Sequence, residues 1–411
     1  MGVGVGCRRG VARAAIAAGT AVLSCAALAQ TGDDQTDARA ILEQATSPKQ
    51  PLIATPAIDR ALAPWYALKQ RLHQDHGLWF VVNYSALHQR ATASKSGVNH
   101  AAGGVFDAYG VWTPFARGTG WEGLLGFRIA DQHAYGTSVA PSRFGTELGS
   151  SWGSALAFDV RELVPIELWW EQHFFKDAFR LRVGKLDPFT IFDPLSLSHP
   201  FEGFMSHPLT LNSAIAWPGS GFGVLARVNF FEGFYLHGGV FNANGDGSNI
   251  DTFFERNEHL AMVQLGWNPS FAFGKGDYRV TLWKADNRVI AGVPEGSGLT
   301  LMAEQEIGDL VPFLRYGHAN GGATFLKNMV AGGLGLRKAF GRKSDVLAFG
   351  ATWGEPLVPG LRTQYGLEAY YRLQVTNELA LTPDVQVIFN PAQNPGSNCI
   401  GVFSLRARVS L

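Results

Sequence analysis

Charge is the first thing in short supply. Of 411 residues, Lys and Arg number 34 and Asp and Glu number 34, so the formal charge is zero and charged types make up only 17%. Ordinary soluble domains carry about 25%. Such a balance offers no basic face for phosphate backbones, which excludes nucleic acid as a partner. Long apolar runs are missing too: beyond the N-terminus none reaches the roughly 20 residues of a membrane helix, so a helical membrane protein is excluded. Cysteine is nearly absent. Cys7 and Cys25 fall in the N-terminal stretch and only Cys399 lies in the body, leaving neither an intrachain disulfide nor a thiolate zinc site. What the chain has instead is 49 glycines, 28 Phe, 11 Trp and 10 Tyr within a 46% apolar composition.

Arg8, Arg9 and Arg13 precede the apolar stretch from Ala14 to Leu28, and Ala27-Leu-Ala29 stands before Gln30. Basic, apolar and small-residue regions in this order predict a secretory signal over residues 1–29, cut after Ala29. A twin-arginine signal on Arg8-Arg9 and a lipoprotein site at Cys25 fit their neighbours less well. Residues 30–76 read as a periplasmic extension. Asp37 to Gln44 and Ile58 to His76 have helical spacing with Pro48, Pro51 and Pro56 between them, and the second forms one short helix with Leu62, Trp65, Tyr66, Leu68, Lys69, Leu72 and His73 along its stripe. Two roles stay open for the extension: an exposed linker, or a segment that occludes or anchors a barrel mouth.

From Gly77 to Leu411 the pattern changes to short alternating segments punctuated by Gly, Pro, Asn and Asp, the signature of strands. Sixteen are predicted, near 78–88, 104–113, 121–130, 161–173, 179–186, 222–230, 234–242, 258–267, 277–285, 298–306, 310–318, 329–338, 345–353, 364–374, 379–389 and 399–411. Most approach the roughly 9 to 11 residues that a tilted strand needs to cross a bilayer. Connections alternate between long (about 9 to 35 residues) and short (about 3 to 9), as tight periplasmic turns and longer outer loops do in an outer-membrane barrel. A soluble sandwich has no reason to sort its loops this way. The fold class read here is therefore all-β, a 16-stranded antiparallel transmembrane β-barrel with a short N-terminal helical extension.

The faces agree with that solvent. Ile166, Leu168 and Trp170 oppose Glu167, Trp169 and Glu171; Phe179, Leu181 and Val183 oppose Arg180 and Arg182. Leu125, Phe127 and Ile129 oppose Arg128, Val224, Ala226 and Val228 oppose Arg227, and Tyr365, Leu367, Ala369 and Tyr371 oppose Glu368, Tyr370 and Arg372. An arginine facing lipid at midplane costs about 2 to 4 kcal/mol, so the charges are expected to point into a polar lumen of mixed sign. The last strand alternates Phe403, Leu405, Ala407, Val409 and Leu411 with Ser404, Arg406, Arg408 and Ser410, as a closing strand recognised by the barrel-assembly machinery would, although it ends in Leu rather than an aromatic.

Glu167-Leu-Trp-Trp-Glu-Gln172, Leu181-Arg-Val-Gly-Lys-Leu-Asp-Pro188, Ala214-Ile-Ala-Trp-Pro-Gly219 and the Pro383 to Pro391 stretch together resemble the carbohydrate-selective porin family of OprB type, from about residue 60 to the C-terminus. The resemblance implies a sixteen-stranded barrel in the outer membrane of a Gram-negative bacterium that passes monosaccharides and related polyols by diffusion, without a cofactor.

The residues support a sugar on their own chemistry. A sugar presents hydroxyls at its edge and C–H groups above and below its ring, so a selective lumen wants charged side chains and an aromatic plate. Trp169 between Glu167 and Glu171 supplies both, with Arg180 and Arg182 on the neighbouring strand; Arg donates in a fixed fork and Glu accepts. Arg128, Arg227, Arg279, Trp283, Glu368 and Arg372 are further lumen candidates, and Lys185, near a strand end, is expected to line the mouth or cap a turn. These groups equally suit a role as ion pairs that merely fix the barrel's shape. The loop 187–221, with five X-Pro bonds and many aromatics, is expected to fold inward and constrict the pore rather than lie outside as a lid. A general diffusion porin, an outer-membrane hydrolase on a barrel scaffold and a secreted lectin-like protein are the rival readings, and monomer and homotrimer stay equally open.

Other motifs are weaker. Gly149-Ser-Ser151-Trp-Gly153 spells a nucleophile elbow but sits in a Gly/Ser-rich loop. Asn242-Ala-Asn-Gly-Asp246-Gly247 imitates a calcium loop but has Phe253 where a bidentate Glu is needed. Glu167 and Glu171, four residues apart on one strand, stand roughly 13 Å apart, too far for a glycosidase pair. The eleven histidines show no metal-ligand spacing, and no metal is expected.

Overall fold

The computed structural model describes residues 37–248 and 256–411. The expected signal peptide and Phe253 lie outside them. Sixteen long strands, with a two-residue strand Ser270–Phe271 beside them, form one antiparallel sheet that closes where the last pairs with the first, Tyr84 opposite Val409. The strands are β1 Leu78–Ala91, β2 His100–Phe115, β3 Gly123–Ala134, β4 Arg161–Phe174, β5 Phe179–Leu186, β6 Gly221–Phe231, β7 Phe234–Asn242 and β8 His259–Trp267. Round the other half run β9 Gly274–Ala285, β10 Gly296–Gln305, β11 Leu310–Gly321, β12 Leu326–Arg337, β13 Val346–Pro356, β14 Gln364–Gln374, β15 Leu379–Phe389 and β16 Cys399–Ser410. Every predicted strand is present. Closure leaves no unpaired edge, the condition for a sheet in lipid. Among the described residues no helix is long and apolar enough to cross a membrane; the strands do so.

Alternation is as expected. On β16, Phe403 and Leu405 are half exposed toward the outer surface while Arg406 and Arg408 are buried inside, and Leu282, Leu314 and Leu367 likewise face out. The ordinary hydrophobic core is thus inverted: apolar side chains solvate in lipid and the interior holds the charge.

Two outer connections fill the upper lumen. Residues 135–160, with α3 Pro141–Leu148, bury Phe144, Leu148, Trp152 and Phe158. Residues 187–220, with the short helices α4 Pro188–Phe192 and α5 His207–Thr210, bury Phe192, Phe201, Phe204 and Leu209. His207 Nε2 donates to Ala155 O at 3.1 Å and Phe158 meets Phe201 edge-on at 5.4 Å, so the two loops pack as one body. The 187–220 loop does fold inward.

Among the described residues the N-terminal extension has two helices where one was expected. In α1, Ala38–Thr46, Asp37 caps the first turn by accepting from Arg39 N at 2.8 Å, and Leu42 is fully buried inside the barrel near β1 and β2. Helix α2, Pro56–His76, lies along the rim: Trp65 meets Phe80 edge-on at 5.8 Å, and Lys69 Nζ donates to Leu411 O at 2.8 Å. Its half-buried side is Leu62, Trp65, Lys69 and Leu72, whereas Leu68 faces out and the exposed Tyr66 reaches Glu378 with its hydroxyl at 3.2 Å. Gly77, at φ 71°, ends α2 in a left-handed turn that a side chain would strain, and β1 starts at the next residue.

Candidate functional site

The site is built on the inner face of β3, β4 and β5. Register between β3 and β4 slips where Arg128 and Ile129 face Glu167 and Pro165, so Ile166 is bulged out of the ladder, next to a proline that cannot donate to it. Ile166 is accordingly buried rather than exposed with Leu168, a departure from simple alternation. Beyond the bulge Trp169, Glu171 and His173 all point inward and are buried.

Trp169 stands in the ladder between Gly126 and Gly184. A Cβ at Gly126 would lie 2.0 Å from Trp169 Cζ2, so only glycine there lets the indole lie against the wall. The indole Nε1 donates to Glu167 Oε2 at 3.2 Å, and the Arg182 guanidinium sits over the ring, 4.1 Å from its centroid. Arg182 is itself held by Glu171 at 2.7 Å, and Glu171 by His173 at 2.9 Å. One ring face of the expected sugar plate is thus occupied by a cation.

Trp169, Glu167, Arg128, Arg182 and Arg372 all border a cavity of about 800 Å³ that fills the lumen between the 187–220 loop and the inner mouth. Arg128 donates to Asp107 at 2.7 Å and lies 3.9 Å from Glu167. Across the space, Glu202 on the 187–220 loop sits 3.5 Å from Arg372 and 3.3 Å from Arg408. Burial alone would raise the Glu202 carboxyl, but the charges of Arg372 and Arg408 outweigh it and hold it well below the usual carboxylate range. Burial pushes neighbouring His199 down to about 4, so its imidazole is neutral at pH 7. Tyr109 and Tyr370 also face the cavity.

The remaining candidates point inward but stand away from this space. Arg180 pairs with Asp177 and, at 3.0 Å, with Asp37 of the extension. Arg227 stacks on Tyr235 at 4.1 Å and contacts His237 at 3.1 Å; Glu171, Arg180 and Arg227 share a small void between the wall and Ile191 of the 187–220 loop. Arg279 pairs with Asp277 on its own strand, and Trp283 is buried over Gly298. Lys185 donates to Gly247 O at 3.0 Å, so it holds a loop instead of lining the mouth. Glu368 accepts from Met205 N and Ser206 N at 2.5 and 3.0 Å and thereby pins the 187–220 loop.

That pinning is the functional layer missed by reading strands singly. Arg315 donates to Asp193 O at 2.9 Å and Pro208 O at 3.2 Å; Arg406 donates to Pro200 O and Gly203 O at 2.9 and 2.8 Å. Glu304 accepts from Ser196 N at 3.0 Å. Alternation marks all of these as inward, but nothing local says that they will satisfy loop backbone. Glu202 was missed for the same reason, its partners Arg372 and Arg408 being distant in sequence; Asp107, whose partner Arg128 is on the adjacent strand, was open to the same alternation argument.

The rival motifs gain no geometry. Ser151 follows a helix, not a strand, and its buried hydroxyl has no hydrogen-bond partner and so no base. Asn242 and Asp246 accept from the backbone of Asn244 and Ser248 in a polar turn, and among the described residues no three His, Cys, Asp or Glu side chains gather as metal ligands.

Comparison with known proteins decides the family. The model of the carbohydrate-selective porin, OprB family, matches residues 114–291 and 298–411. This chain belongs to that family. Porin AaxA of Chlamydia pneumoniae is 24% identical to this porin over 311 residues, 73% of this chain and 70% of that protein. Porin AaxA of Chlamydia abortus is 23% identical over 254 residues, 59% of this chain and 56% of that protein. Among solved structures, the high-pH form of Pseudomonas putida OprB superposes with a TM-score of 0.69 at 16% identity, covering 84% of this chain and 97% of that one. A triple mutant of Rhodopseudomonas blastica porin gives 0.51 at 12% identity, covering 81% and 100%. At these identities the two structures speak for the barrel fold. The family and fold place this porin among the β-barrel channels of Gram-negative outer membranes.

Proposed function

We propose that this porin passes small neutral carbohydrates, monosaccharides and related polyols, down their gradient, and that the β3–β5 wall is where they are recognised. The observation that carries the reading is the cavity of about 800 Å³ in which Trp169 and Glu167 stand beside Arg128 and Arg182, facing the Glu202 and Arg372 pair. That volume falls in the range of small-molecule sites, about 300 to 1,000 Å³. Fixed guanidinium forks donate to hydroxyls, carboxylates accept from them, and the near balance of signs gives an ion no net attraction. Arg182 covers one face of the Trp169 ring, so a sugar would meet the indole by its other face or edge while donating to Glu167. No energy source is needed, because flux through a preformed lumen follows concentration.

The test is conductance in planar bilayers titrated with glucose and other sugars. Concentration-dependent block that weakens about tenfold in Trp169→Ala is expected, the about 1.4 kcal/mol loss of one good contact. An open channel on which no sugar acts would leave a general diffusion porin and refute the proposed selectivity.

A further inference from the structure

Residues 37–53 do not behave as a leader to the barrel. They run from one wall of the inner mouth to the other. At the start, Asp37 Oδ2 accepts from Arg180 on β5 at 3.0 Å, and Arg39 Nη1 donates to Glu122, in the β2–β3 turn, at 2.5 Å. At the end, Gln50 N donates to Ser344 Oγ at 2.7 Å and Gln50 Oε1 accepts from Lys343 N at 2.8 Å, both in the β12–β13 turn. Leu52 N and Ile53 N then donate to Gln374 O and Val375 O at the foot of β14, at 2.9 and 2.8 Å. Strands β5 and β13 stand eight apart in a ring of sixteen, so the segment subtends nearly a diameter of the barrel.

Between its ends the segment forms one boundary of the conducting space. Ile41, Leu42, Glu43 and Gln44 of α1 border the same cavity as Trp169 and Arg182, opposite the β8–β9 and β12–β13 turns. Lys49 lies within electrostatic reach of Glu202, Arg372 and Arg408, so the segment also feels the charge cluster at the 187–220 loop.

We propose that residues 37–53 form a strap across the inner mouth that sets the largest solute this porin admits. The barrel wall and the 187–220 loop form three sides of the passage and the strap forms the fourth. Its attachments are of a kind that can release. Arg39 is exposed to 34%, so its pair with Glu122 is open to screening by salt, and Asp37 meets the buried Arg180, which keeps Asp177 as a second partner when Asp37 leaves. The inference rests on the porin reading but not on the choice of sugar.

The experiment compares the wild-type chain with three variants: Asp37→Asn with Arg39→Gln; deletion of residues 38–50; and Gln50→Cys with Ser344→Cys, which ties the strap by a disulfide. Each is refolded into liposomes and checked for barrel closure by heat-modifiable gel mobility. Single-channel conductance and swelling in glucose, maltose and a trisaccharide are then measured. Deletion is expected to raise conductance at least twofold and to admit the trisaccharide, the double charge variant to do so partially and more at high salt, and the oxidised disulfide form to stay at or below wild type. Unchanged conductance and size limit in a closed deletion barrel would overturn the strap while leaving the porin reading intact. A wild type that is silent beside a conducting deletion supports the strap as a full plug. Silence in both would overturn the strap and the porin reading together.

Discussion

Two segments enter the lumen of this barrel and they are held in different ways. The 187–220 loop is fixed by wall groups with almost no solvent access: Arg315 and Arg406 are fully buried, and Glu368 and Glu304 nearly so. The 37–53 strap is fixed by Arg39 and Asp37, which keep some water, and by exposed Gln50. Where loop and wall pack without water a charge left without its partner is expensive, whereas a pair that keeps water on one side is worth less. The lesson is that one insertion is part of the wall and the other is an attachment to it.

The largest expected effect breaks the loop side of that comparison. Arg315→Ala removes the donor to Asp193 O and Pro208 O and takes from the Asp193 carboxylate its counter-ion at 3.4 Å, leaving it only the Asn212 N–H. Equilibrium unfolding in urea should show a loss of about 3 to 5 kcal/mol, with a noisier and wider channel. Asp37→Asn, its counterpart in the strap, should cost less, about 1.5 to 3 kcal/mol for a hydrogen bond to a charged group, because Arg180 keeps Asp177 as a partner. Equal losses would erase the distinction.

Next in size is Gly126→Ala. The added methyl would collide with the indole of Trp169, so the ring must move or the wall must open, at about 1 to 3 kcal/mol. Sugar block should fall as far as in Trp169→Ala while the loop stays anchored; retained block would place recognition elsewhere.

Acid should separate the two segments. Burial holds both His199 and His207 of the loop down to about 4, below the value near 6.5 that they have unfolded. Their stabilisation is therefore whole above pH 6.5 and is lost as pH falls toward 4. Glu202, also held low, acts with the same sign below its unfolded value. The strap contains no histidine, and its Lys49 is lowered by burial from the ordinary lysine value. Limited proteolysis between pH 7 and 4 should therefore open the loop first. Cleavage near residue 48 ahead of the loop would reverse that order.

The smallest effect lies outside the lumen. Tyr66→Phe removes the 3.2 Å hydrogen bond to Glu378 that helps to fasten α2 to the rim. A cost of about 0.5 to 1.5 kcal/mol is expected, read by thermal unfolding. No change in sugar block should accompany it, since α2 borders no part of the cavity.

Much of this was readable in advance, and the limits have a physical pattern. Period-two alternation located all sixteen strands because lipid outside and water inside act on each strand independently of its neighbours. It failed at Ile166, where Pro165 and a bulge shift the register, and in the extension, where Asp37 caps a helix of only nine residues. For the site, alternation picked the inward side chains but could not rank them. Trp169 and Glu368 look alike in their own strands, yet one borders the cavity and the other holds Met205 and Ser206.

By itself the sequence determined the solvent, the strand count, the inward charges and the family. These are properties of local pattern, repeated until no other fold fits. Only the tertiary structure decided which inward charges hold a loop and which stay beside open space, and that residues 37–53 turn back into the barrel. Those outcomes depend on pairs such as Arg315 with Pro208, or Asp37 with Arg180, which lie more than a hundred residues apart. The energy of a buried charge is set by the partner that reaches it, and that partner is fixed only when the barrel closes.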